Sequence, residues 1–78
     1  MPTIDRVAGY RVLFYSSDYV EPPHVHVRSE RGLAKFWLLP VRLAHARGFR
    51  HHELTWIRRI IEAREAKYLE DWNEHFAD

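Results

Sequence analysis

The chain has 78 residues, 46% apolar and 14% aromatic, with 12 Lys+Arg against 11 Asp+Glu and a formal charge of +1. That size and composition allow one domain (1–78) with one core, and exclude both a two-domain architecture and wholesale disorder. The absence of cysteine excludes a disulfide scaffold and a thiolate zinc site.

In chain order, "MPTIDR" lacks the basic start and apolar run of a secretory signal. No apolar stretch approaches the ~20 residues that span a bilayer. The expectation is a soluble, cytoplasmic protein with no membrane contact. "GYRVLFY" is rich in aromatic and β-branched residues and predicts a first strand over roughly Tyr10 to Tyr15. "SSDYVEPP" reads as a loop, because Pro22 and Pro23 cannot donate to a ladder. "HVHVRS" alternates with period two and predicts a second strand, joined through "SERG" to a third, "LAKFWLL", which Pro40 ends. "VRLAHARGF" reads either as a short fourth strand over Val41 to Ala44 or as an irregular crossing.

From about His52 the period changes to 3.6, and Leu54, Ile57, Ile61, Tyr68, Leu69, Trp72 and Phe76 fall in one stripe. About 25 helical residues would run ~38 Å, longer than a small sheet needs. Glu65 interrupts the stripe, so the helix is expected to bend or overhang. No Ser, Thr, Asp or Asn marks its N-cap. The predicted fold is α+β: a three- or four-stranded antiparallel sheet with one long C-terminal helix packed on one face.

Alternation then sorts the strand residues. Val12, Phe14, Val25, Val27, Ala34, Phe36 and Leu38 suit the face beneath the helix, with Tyr10. The other face collects Arg11, Tyr15, His24, His26, Arg28, Lys35 and Trp37, together with Leu13. An open antiparallel sheet always has a solvated face, so charges there need no special purpose. Those seven side chains, however, are cationic, aromatic or imidazole and none is acidic. Basic groups interleaved with aromatics fit bases and phosphates, and an exposed Trp beside cations also fits a protein hot spot. Charge is uneven along the chain as well. Residues 1–50 carry eight Lys+Arg against four Asp+Glu, and residues 51–78 carry four against seven.

Two chemistries compete for His24 and His26. On one strand face their Cα atoms lie ~6.5–7 Å apart, which suits joint ligation of one ion. A third ligand is needed, and Asp18 or Glu21 could approach only through the loop, so no metal and no cofactor are expected. Acid–base cleavage of RNA needs one histidine to take the 2′-hydroxyl proton and another to protonate the leaving oxygen. His24 and His26 are the catalytic candidates for that, with Lys35 and Arg28 stabilising the developing charge. Arg11, Tyr15, Arg28, Lys35 and Trp37 are the binding candidates. No P-loop, GxGxxG, Ser-centred elbow or HExxH occurs.

Over nearly its whole length the chain resembles a family of small bacterial proteins, domain of unknown function 4160. The resemblance rests on "MPTIDR", "GYRVLFY", "EPPHVHV", "AKFWLLPVRLA" and "WNEHF". The Pro-Pro-His-x-His block falls on Pro22, Pro23, His24 and His26. Where the family often has Ser or Asn before its last helix, this chain has Arg50, His51 and His52. Such proteins are often encoded beside a second small protein of the domain of unknown function 2442 type. That implies a toxin–antitoxin role, a cognate protein partner and action on RNA or translation. The leading expectation is therefore a toxin–antitoxin-type module working through its exposed sheet face, with a dimer also open. A metal-independent ribonuclease, a nucleic-acid or regulatory binding module and a structural interaction protein stand as alternatives.

Overall fold

The computed structural model describes residues 3–76. Five strands, β1 (Thr3–Val7), β2 (Tyr10–Leu13), β3 (His24–Arg28), β4 (Leu33–Leu38) and β5 (Val41–Arg47), precede two helices, α1 (His51–Ala63) and α2 (Glu65–His75). The strands pair antiparallel in simple chain order, β1-β2-β3-β4-β5. A 3₁₀ turn at Ser16–Val20 occupies the connection between β2 and β3.

The α+β class and the antiparallel sheet with helix on one face are as expected. The strand count and the single helix need correction. β1 escapes a reading of the sequence because its "TIDRV" alternates poorly across a register shift between Thr3 and Asp5. Its turn into β2 is also disguised: Ala8 and Gly9 both have positive φ, 51° and 83°, the backbone of a tight hairpin usually marked by Asn-Gly. The ambiguous segment after Pro40 is a full strand, with an irregularity opposite Lys35 and Phe36 that lets it follow β4.

The helical stripe divides at Arg64, whose φ of −118° and ψ of 13° are not helical. Its N–H bonds the Ile61 carbonyl at 3.0 Å, a tight last turn that ends α1. The break comes immediately before Glu65, the residue that spoils the stripe. Re-aiming the axis there keeps Tyr68 and Trp72 in the core. Arg50 stands at the N-cap of α1, and Glu53 accepts its backbone N–H at 3.2 Å, half of a capping box without the usual hydroxyl.

The core lies between the helices and the inner sheet face. Val12, Val25, Val27, Ala34, Phe36 and Leu38 from the strands meet Ile57, Ile61, Tyr68 and Trp72 from the helices, all buried. Phe14, just past β2, packs edge-on against Trp72 at 5.2 Å between ring centroids. The far side of this layer is fastened through Asp5 on β1, which accepts the Tyr68 hydroxyl at 2.9 Å and faces Arg64 at 3.3 Å. No helix among the described residues is long and apolar enough to cross a membrane.

Candidate binding face and its buried histidine cluster

Residues directly opposite one another in a sheet share a face. The register therefore lays the outer face out in rows. One row runs Arg6–Arg11–Arg28–Leu33–Arg47 across all five strands. At ~4.8 Å between strands, its ends are ~19 Å apart. The next row brings Leu13, His26, Lys35 and His45 into line, and a third brings His24, Trp37 and Arg42. Among the described residues no carboxylate forms a salt bridge with Arg6, Arg11, Arg28, Arg42 or Arg47. Arg11 donates to Thr3 Oγ1 at 2.7 Å, which orients its guanidinium and leaves the charge unneutralised. Lys35 is paired to Glu21 at 2.6 Å and lies 4.6 Å from the Trp37 ring centroid, a cation–π contact.

The 3₁₀ turn covers the opposite end of this face. Tyr19 reaches Phe76 beyond α2, with ring centroids 6.5 Å apart, while Asp18 turns inward and is buried. The Tyr15 N–H donates to Asp18 Oδ2 at 2.8 Å. Leu13 and His24 are both 0% exposed, and His24 lies against Asp18 of the turn. The His24 ring sits among Trp37, Trp72 and His26, with centroids 5.6, 5.2 and 5.1 Å away. His24 Nδ1 donates to the Pro22 carbonyl at 2.8 Å. Its Nε2 lies 3.2 Å from Asp18 Oδ1 but makes no hydrogen bond. His26 Nε2 donates to Asp18, at 3.1 Å from Oδ2, and Tyr15 stacks edge-on over its ring at 4.4 Å.

Burial pushes the Asp18 carboxyl up, but the Tyr15 N–H and the two neighbouring imidazoles outweigh it and hold the carboxyl below its ordinary value. Burial lowers the His26 imidazole, and the opposing pull of Asp18 does not restore it. The cluster thus combines an ionised carboxylate with a neutral His26 near neutral pH.

Of the residues singled out from sequence, Arg11, Tyr15, His26, Arg28, Lys35 and Trp37 do share the outer face. Val25 and Val27 are buried as assigned. His24 and Leu13 are on the expected face but are not open to solvent; around His24 the enclosure comes from Asp18 of the 3₁₀ turn together with Trp37 and Trp72. A fully enclosed His24 cannot meet a substrate, so any influence on chemistry passes through Asp18 and His26. The side chain of His26 keeps 12% of its surface exposed. Arg6, Arg42, Arg47 and His45 join this face without any local sequence pattern that marks them. Their placement follows from β1 and the full length of β5.

The fold and this surface define a class: a small antiparallel-meander α+β domain with one helix-covered face and one cationic, aromatic face. Within that class the chain belongs to the family described as Domain of unknown function (DUF4160), whose model matches residues 9–73. No curated protein and no solved structure matches the chain.

Proposed function

We propose that this protein is a nucleic-acid-binding module whose working surface is the outer sheet face, with single-stranded RNA as the best chemical fit. The carrying observation is the arginine row. Arg6, Arg11 and Arg28 are successive direct cross-strand partners. Like charges directly opposite one another destabilise a sheet. The row opposes folding and becomes favourable only when an anion lies across it. A chain of phosphates fits a row of guanidinium groups, and Trp37 and Tyr15 beside it offer π-faces for unpaired bases. Among the described residues no helix projects from this face to enter a DNA major groove, which favours a single strand. In the toxin–antitoxin setting implied by the family resemblance, such binding would act on RNA or translation, and a cognate protein would restrain it.

The test is fluorescence anisotropy with a short unstructured RNA across a salt series. Arg28→Ala should weaken binding and flatten the salt dependence by roughly 0.7 in slope per lost phosphate contact. Arg28→Glu should weaken it further while stabilising the fold by ~0.2–1 kcal/mol, because Glu would sit opposite Arg11. No binding at low salt, or unchanged binding by Arg28→Glu, would remove the proposal. Cleavage of the bound RNA, lost in His26→Ala, would convert the reading to a ribonuclease. A protein partner is the second reading, favoured by Trp56, which is 52% exposed on α1. Trp56→Ala would then abolish partner binding with little dependence on salt.

A further inference from the structure

The His24 imidazole poses a problem that hydrogen bonding does not solve. A carbonyl oxygen can only accept, so the contact with Pro22 places the ring proton on Nδ1. That leaves the Nε2 lone pair, fully buried, facing a carboxylate oxygen 3.2 Å away. Two electron-rich atoms in that position repel. Nε2 also lacks hydrogen-bond geometry toward Asp18, so the contact is close without being a hydrogen bond. Native proteins rarely leave such an atom unsatisfied without a purpose.

Around the lone pair stand further donors. His26 Nε2 is 3.1 Å from Asp18 Oδ2, and Glu21 Oε1 is 3.9 Å from His24 Nε2. Ligand atoms of Asp18, His24 and His26 all lie within 4.8 Å of one another. Donors ~2.0–2.1 Å from a tetrahedral ion are themselves ~3.3 Å apart, so small side-chain adjustments would close the set. A ring whose Nδ1–H is fixed by a backbone carbonyl, with Nε2 aimed inward, is also the orientation in which histidine ligates metal.

We infer that Asp18, His24 and His26 form a binding site for a divalent transition cation, with zinc as the best match to two imidazoles and one carboxylate. The ion would sit between the 3₁₀ turn and β3, joining the loop to the sheet at two histidines. Glu21 is the nearest fourth donor. Taking it up would release Lys35 from its present partner. This site stands on the buried cluster alone and does not depend on RNA binding by the arginine row.

The decisive experiment titrates the full-length protein, stripped with chelator, with Zn²⁺ alone, and follows heat of binding and thermal unfolding. One ion per chain should bind, and Tm should rise with free Zn²⁺, because a ligand of the folded state stabilises it. Asp18→Asn and His26→Gln should lose both responses, whereas His51→Gln, on the exposed start of α1, should keep them. Should either site variant fail to fold, Co²⁺ added to the wild-type chain decides: the intense visible bands of a four-coordinate ion are expected. Absence of 1:1 binding, a Co²⁺ spectrum of the six-coordinate aqua type, or loss of binding in His51→Gln but not in Asp18→Asn would overturn the site.

Discussion

The hydrogen bond from Tyr68 to Asp5 joins residues at opposite ends of the chain, and its removal is a clean perturbation. Tyr68 is fully buried and donates its hydroxyl to Asp5 Oδ2 at 2.9 Å. In Tyr68→Phe the ring and its packing stay, so no cavity term enters. A hydrogen bond to a charged group contributes ~1.5–3 kcal/mol. Asp5 keeps Arg64 at 3.3 Å, which softens the loss and places the expected cost near the lower end, about 1.5–2 kcal/mol. For a domain of this size that lowers Tm by on the order of 10 °C. Urea unfolding of wild type, Tyr68→Phe, Asp5→Ala and the double variant gives the coupling directly, and ~1 kcal/mol or more is expected. Arg64→Ala is the contrast: its side chain is 42% exposed, and a pair of that kind contributes ~0–1 kcal/mol. A Tyr68→Phe cost below ~0.5 kcal/mol, or additivity with Asp5→Ala, would show that the contact does not fasten β1 to α2.

Burial first, then the Asp5 contact, raises the Tyr68 phenol well above its usual range. A raised folded value means stability fully present below the unfolded pKa of ~10 and lost as pH climbs beyond it, so the difference between wild type and Tyr68→Phe should shrink above about pH 10 in chemical unfolding. Ile61, buried between helix and sheet, should cost ~2–5 kcal/mol on truncation to Ala, measured by the same denaturation. Gly48 has φ of +80°, and a Cβ there would collide with the Arg31 carbonyl. Gly48→Ala should destabilise by more than the ~1–2 kcal/mol of left-handed strain alone, whereas Gly9→Ala, with open space around it, should cost no more than that.

Alternation and helical period read directly from the chain wherever one face is buried. Val25, Val27, Phe36, Ile57, Ile61 and Trp72 all lie in the core where periodicity put them. Glu65 marks the place where the helix divides, although nothing in the local pattern specifies the non-helical backbone of Arg64 just before it. Other features arise only from tertiary structure. The arginine row requires the register of four strand pairs, two of which involve strands that local pattern does not define. Asp18 lies in a segment whose prolines and serines predict a loop without saying that it folds inward. The burial of His24 depends on that inward fold and on Trp72 from the far end of the chain.

The meander has a consequence for how the chain assembles. Each strand pairs with the one made just before it, so the sheet can be zipped hairpin by hairpin through short loop closures. The covering helices are synthesised last. At ~5–20 residues per second, the inner face with Val12, Val25, Phe36 and Leu38 waits a few seconds without its lid. During that interval it is an apolar sheet with two open edges, the species most prone to stick to its own kind. The positive charge of the opposite face bears on that interval. It is present from the first hairpin onward, and mutual repulsion between nascent sheets would keep them apart until α2 arrives.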